Sequence, residues 1–213
     1  MTASLGLKYF EALPTNPPPE LGKVSEYKNL MEKHGVKIIA YGIVGLSNNE
    51  EQARPLFEFA KAMGIEMLTA YPEFDSFDLL DKLVEEFDVG IAIHNYGPGH
   101  RYADVETIKR VTERHHPKIG ACLDTGHLTR AGGGIMEAVY AHGKRLHGVH
   151  LKDLNEKNED VVIGTGVLPI GNFIKALMEI DFSGYLSLEL ETKPEKILAG
   201  IRQSLSFLQK VAG

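Results

Sequence analysis

Apolar and polar positions in this chain follow two alternating periods. Short apolar runs recur, and each is followed by a longer stretch with apolar residues three or four positions apart. The runs predict strands over Leu5–Leu13, Val36–Ile43, Ile65–Tyr71, Val89–His94, Ile119–Asp124, Arg145–Leu151 and Tyr185–Leu190. The wider spacing predicts helices between them. One carries Val24, Tyr27, Leu30 and Met31 and stops at Gly35; the next runs from about Asn49 to Met63 and stops at Gly64. A third starts near Asp75 as its cap, with Phe77, Leu80, Leu83, Val84 and Phe87 on one face. Others follow from Ala103 to about His115, Ile135 to His142, Ile170 to Ile180, and from Pro194 onward.

Seven strands, each followed by a helix, imply a parallel sheet with right-handed crossovers. Two architectures fit, a (β/α) barrel and an open doubly wound sheet. The first strand turn lacks G-x-G-x-x-G, which removes the main support for a dinucleotide site. Polar residues instead collect at the carboxyl ends of the runs: Glu11, Glu73, His94, Asp124, His150 and Glu189. Functional residues drawn from several strand ends are the barrel pattern. The reading is an α/β protein, a TIM-type (β/α) barrel in a single domain over residues 1–213. A barrel of this type has about eight strands. The unit not visible is expected to be the first, because Met1 lies only a few residues before the first strand. The strands near Leu5 and Tyr185 would then be edges. An exposed edge invites pairing, so a homodimer or an occluding segment is expected.

Composition narrows the function classes. Hydrophobic residues make up 43% and charged residues 24%, an ordinary globular balance. A net charge of -6 argues against a surface that coats nucleic acid. The one cysteine, Cys122, lies in an apolar run and excludes an internal disulfide framework. No signal peptide and no membrane-spanning apolar stretch are visible, so a cytoplasmic protein with no membrane partner is expected.

The candidate chemistry begins at Asp124-Thr125-Gly126-His127, where a buried run ends abruptly in polar residues. Asp124 and His127 could converge across the Thr-Gly turn; an aspartate capping the next helix beside a surface histidine fits the same pattern. His94, Asp124, His150 and Glu189 stand at or near four successive strand ends, which ring one cavity in a barrel. Two imidazoles and two carboxylates suit one Mn²⁺, Mg²⁺, Co²⁺ or Zn²⁺ ion. Lys152 could hold an anionic group or stabilise a developing oxyanion. His147 is read as sharing the face of His150, in a lower layer. Gly164-Thr165-Gly166 is read as a plain turn, with backbone N–H groups approaching a phosphate as the alternative.

At these residues the chain resembles the xylose-isomerase-like barrel superfamily, in particular the sugar phosphate isomerases/epimerases. The pieces that carry the resemblance are Ile93-His94-Asn95, Asp124-Thr125-Gly126-His127, Val149-His150-Leu151-Lys152-Asp153 and Leu188-Glu189-Leu190-Glu191. The resemblance implies that Asp124, His150 and Glu189 bind one divalent metal and that His127 touches substrate. Well-studied epimerases of the family have a glutamate where this chain has His94. That glutamate is both ligand and half of an acid/base pair. Here His94 takes the position, as fourth ligand or as acid/base partner, roles an imidazole can fill.

The resemblance implies a metal-dependent isomerase or epimerase of a sugar, sugar phosphate or keto-sugar working through an enediolate. Glu189 is the expected main acid/base residue, with His94, His127 and Lys152 beside it. A keto-sugar lyase or dehydratase shares the first half of that mechanism. A DNA-repair endonuclease of the related barrel type is disfavoured, since Ala40-Tyr41-Gly42 and Ala70-Tyr71-Pro72 end their strands without the histidines of its zinc cluster. A non-catalytic barrel remnant is the further alternative.

Overall fold

The computed structural model describes residues 1–212. By internal contacts they divide into two compact units, Met1–His94 with Arg110–Ala121, and Asn95–Lys109 with the chain from Cys122 on.

In the first unit, β1 (Tyr9–Ala12), α1 (Val24–His34), β2 (Lys37–Leu46), α2 (Glu50–Met63), β3 (Met67–Pro72), α3 (Phe77–Phe87) and β4 (Gly90–His94) alternate as the periodicity predicts. Strands β1 to β4 pair in parallel and in chain order. All five residues of β4 are buried, which is why it reads as a continuous apolar run rather than an alternating one. Helix α2 presents Ala53, Phe57, Ala60 and Met63 to the core, at the spacing of one helical face. Tyr41 is fully buried and its hydroxyl donates to the Pro17 carbonyl at 2.8 Å, which ties the proline-rich loop to β2. Burial pushes the Tyr41 hydroxyl up to about 12.

Several boundaries differ from the sequence reading; β2, for example, runs on to Leu46 and β3 begins at Met67. Strand β1 begins at Tyr9 because Leu5 belongs to a short 3-10 turn closed by Gly6 at φ +76°. The cap of α3 is Ser76, not Asp75, and the Ser76 hydroxyl donates to the Glu73 carbonyl at 2.6 Å. The next helix, α4 (Val105–Thr112), is shorter than Ala103–His115. Asp104 sets its start by accepting the Thr107 N–H at 2.7 Å and the Thr107 hydroxyl at 2.9 Å.

The second unit contains the end of β5 (Ile119–Asp124), then α5 (Thr125–Arg130), α6 (Ile135–His142), β6 (Leu146–Leu151), the strands β7 (Asp153–Leu154) and β8 (Asp160–Val161), α7 (Ile170–Glu179), β9 (Tyr185–Leu188) and α8 (Pro194–Ala212). Strand β9 pairs in parallel with β6, His150 opposite Ser187. Seven strands thus form the main sheet, as counted from sequence. Helix α5 was anticipated only as the helix that Asp124 would cap, and the antiparallel β7–β8 hairpin was not anticipated. The last strand stops at Leu188, so Glu189 and Glu191 lie beyond it, not on it as the sequence suggests. His147 also departs from expectation. It stands three positions before His150, an offset that turns the two side chains to opposite faces, and it is half-buried where His150 is buried. No described helix is long and apolar enough to cross a membrane.

His142, at the end of α6, is 5% exposed. Burial first, and the charge of Lys109 second, push its imidazole down from 6.5 to about 4. Below pH 6.5 the unfolded chain gains a proton that the folded chain refuses until about pH 4. Stability is therefore complete above pH 6.5 and falls as the pH drops toward 4, by about 3 kcal/mol from this group. Denaturant melts of wild type and His142→Leu across this range check the effect. The wild type should show the larger loss, and parallel curves would exclude His142 as the source.

Candidate active site

The site is built at the carboxyl ends of β5, β6 and β9. Asp124 closes β5, is completely buried, and is the N-cap of α5: its Oδ1 accepts the His127 N–H at 2.6 Å. The capping reading of Asp124 holds: capping uses Oδ1, while Oδ2 lies 3.6 Å from Lys152 Nζ. The Asp124 backbone is clamped from outside its strand. The Asn95 amide donates to the Asp124 carbonyl at 3.1 Å and accepts the Asp124 N–H at 2.7 Å.

On β6, His150 is buried, and its Nδ1 lies 3.0 Å from Glu189 Oε1. The Glu189 N–H donates to the Leu151 carbonyl at 3.1 Å, which carries the chain leaving β9 past the end of β6. Lys152 follows β6 directly, and its side chain is only 2% exposed. Its Nζ lies 3.1 Å from Glu189 Oε2 and 2.7 Å from Glu191 Oε1. Burial opposes the charge on both partners. It favours neutral Lys152, but Asp124, Glu189 and Glu191 outweigh it and hold the ammonium above the ordinary lysine value. It favours protonated Glu189, but His150 and Lys152 hold that carboxyl well below the usual range. Both shifts favour an ionised Glu189 beside a charged Lys152.

Asp124 and His150 can each bring a ligand atom within 4.8 Å of the other, a separation suited to donors sharing one ion. The donor chemistry, a carboxylate and an imidazole in a buried setting, fits a divalent cation. Glu189 lies against His150 and Lys152 and is not part of this tightest donor group.

The flanking residues are equally specific. The ring of His127 tilts against Tyr96 at 5.4 Å, and Tyr96 stacks on His100 at 5.0 Å. Asp153 is buried and accepts four backbone N–H groups, from Leu154, Gly164, Gly166 and Leu168, at 2.9 to 3.2 Å. The N–H groups of Gly164 and Gly166 therefore serve Asp153, and the plain turn is the correct reading of that segment. Two other strand-end residues belong to the first unit. Glu73 is exposed beyond β3, and Glu11 accepts a hydrogen bond from the Thr69 hydroxyl within the first unit. Sequence reasoning quoted Asn95 and Thr125 within motifs but gave them no role, and it gave none to Tyr96. The one local signal was the asparagine directly after a strand-terminal histidine.

A buried carboxylate, imidazole and lysine at the carboxyl ends of neighbouring parallel strands fit the β/α-barrel class, whose functional residues collect at that end of the strands. The particular family follows from comparison: residues 1–211 match the xylose isomerase-like TIM barrel family, and the chain belongs to it. Inosose dehydratase of Geobacillus thermodenitrificans is 25% identical over 212 residues, covering 90% of this chain and 70% of that protein. A putative uncharacterized protein of Parabacteroides distasonis is 30% identical with a TM-score of 0.75, covering 98% of this chain and 90% of that one. D-psicose 3-epimerase of Clostridium cellulolyticum, solved with D-tagatose, shares the fold at a TM-score of 0.83 and 15% identity, covering 99% and 91% of the two chains.

Proposed function

We propose that the protein is a divalent-metal-dependent enzyme that removes a proton next to the carbonyl of a sugar or keto-sugar, and that it returns that proton as an isomerase or epimerase. The observation that carries this reading is the ionised Glu189 set between His150 and Lys152, beside the buried Asp124. In this reading Asp124, His150, Glu189 and His94 hold the metal. His94 closes β4 and is covalently joined to Asn95, whose amide grips the Asp124 backbone. Its imidazole is the fourth donor in this reading.

A divalent ion held there supplies Lewis-acid polarisation of the substrate carbonyl. Glu189 takes the proton from the adjacent carbon, and the C–H electron pair moves toward the carbonyl oxygen to give an enediolate. Glu189 is a weak base because the Lys152 ammonium, with the His150 imidazole beside it, stabilises its charge. The same neighbours favour negative charge developing next to them, so Lys152 lowers the cost of the oxyanion. His127 hydrogen-bonds a substrate hydroxyl, its imidazole steadied by Tyr96.

A second reading, dehydratase or lyase, is favoured by the curated relatives named inosose dehydratase. It shares the proton abstraction and then expels a hydroxide, which leaves as water after protonation. One experiment separates the two. The metal-loaded protein is incubated in D₂O with an inosose, a 3-keto-glucoside and D-fructose, and the products are followed by NMR and mass spectrometry. Deuterium at the carbon beside the carbonyl without loss of water supports the isomerase. Loss of one water supports the dehydratase, and no exchange with any of the three rejects both.

His94→Gln tests the role of that residue. If His94 is a ligand, metal affinity should fall by about the 10- to 100-fold that marks a disturbed metal shell. A shifted pH–rate profile with unchanged metal content would make it the acid/base partner instead. A homodimer is also proposed, joined at the edge of β9, where Leu186 is exposed. Light scattering of the protein in solution checks it, and a monomer at all concentrations would end the idea.

A further inference from the structure

Thr125 and Gly126 lie between the metal-binding aspartate and the substrate-facing histidine of the proposed site, and neither touches an expected ligand. Both are buried, and both serve Lys152. The Thr125 hydroxyl accepts the Lys152 N–H at 2.8 Å and donates to the Lys152 carbonyl at 2.8 Å, so a side chain on α5 satisfies both backbone groups of a residue 27 positions later. Strand β6 has ended at Leu151, so no ladder is available to do this. Gly126 supplies room. A Cβ at that position would lie 3.1 Å from both Cβ and Cδ of Lys152, closer than the aliphatic stem tolerates without moving. The far end of the stem reaches Glu191, Glu189 and Asp124 in turn.

We propose that Thr125 and Gly126 are positioning residues that seat Lys152, and that the seated ammonium sets the balance of charge among Asp124, Glu189 and Glu191 against which a divalent ion binds. This rests on the functional reading above for its catalytic consequence, but not for its effect on cation affinity. A fixed positive charge 2.7 to 3.6 Å from the carboxylates repels an incoming cation. Removing it in Lys152→Met should tighten Mn²⁺ binding about tenfold or more, because unit charges at this distance interact strongly even when screened by partly polar surroundings. Thr125→Val keeps the volume, loses both hydrogen bonds and lets Lys152 drift; its Mn²⁺ affinity should fall between wild type and Lys152→Met. Thr125→Ser keeps the hydroxyl and should restore the wild-type value. Gly126→Ala should move affinity in the same direction as Thr125→Val.

The experiment is calorimetric titration of the full-length apoprotein with Mn²⁺, with thermal melts alongside. Proton exchange from whichever ketone proves active provides a second readout. There, Thr125→Val should lower kcat about tenfold or more with little change in KM, since general acid–base and charge-stabilising groups act mainly on the chemical step. The seat is overturned if Thr125→Val binds Mn²⁺ as wild type does or more weakly. It is equally overturned if Thr125→Ser fails to restore affinity. If wild type exchanges no proton from any ketone, the functional reading fails, while the Mn²⁺ series still decides the seat.

Discussion

Glu189→Gln should abolish exchange of substrate protons with solvent while leaving the fold and part of the metal affinity intact. The glutamine keeps the shape of the side chain and one oxygen for coordination, and it removes the charge that accepts the proton in the proposed mechanism. Loss of a general base costs about 10²- to 10⁴-fold. The high end is expected here, because the neighbouring carboxylates are committed: Asp124 to the His127 N–H and Glu191 to Lys152. Retention of full exchange in this variant would remove Glu189 from the mechanism. The pH dependence follows from the direction of its shift. His150 and Lys152 hold the carboxyl below the usual range, and Lys152 is held above its own, so neither should produce an inflection between pH 5 and 9.

The second large effect is expected at Asp124, where two substitutions separate two roles. Asp124→Ala loses both the helix cap and a carboxylate facing the buried Lys152 ammonium. Loss of the cap costs about 1 kcal/mol, and an ill-compensated buried charge adds to it, so destabilisation by about 3 kcal/mol is expected. Asp124→Asn keeps an oxygen for the His127 N–H and should be clearly the more stable of the two in denaturant melts. Both should lose metal affinity by more than the ~10- to 100-fold typical of outer-shell changes. Full metal binding by Asp124→Asn would show that the cation sits elsewhere.

Why the strands and the acidic and imidazole groups could be read in advance, and the rest could not, follows from range. Buried strands such as β4 and β5 are continuous apolar runs, and the abrupt change at His94 and Asp124 marks where a strand leaves the core. Helix α5 shows in the sequence only through its Asp124 cap, because it is six residues long and holds a glycine and two threonines, poor helix formers; that cap and the packing of Thr125 and Leu128 maintain it. The β7–β8 strands, two residues each, are too short to show any period. The Asp153 carboxylate and the Arg130–Asp160 ion pair organise that loop instead.

What the chain's own pattern determined was the alternation of strand and helix, the count of seven strands and the positions of Asp124, His150, Lys152 and Glu189 near strand ends. These are local consequences of hydrophobic periodicity, because burial of one face or two leaves its mark every two or every three to four residues. The tertiary structure alone decided that Asn95 clamps Asp124 across 29 positions, that Thr125 holds Lys152 across 27, and that Glu189 meets His150 across 39. Each of these contacts satisfies a polar group that burial has cut off from water. Which groups burial strands together depends on how the strands align, and that alignment has no period in the sequence.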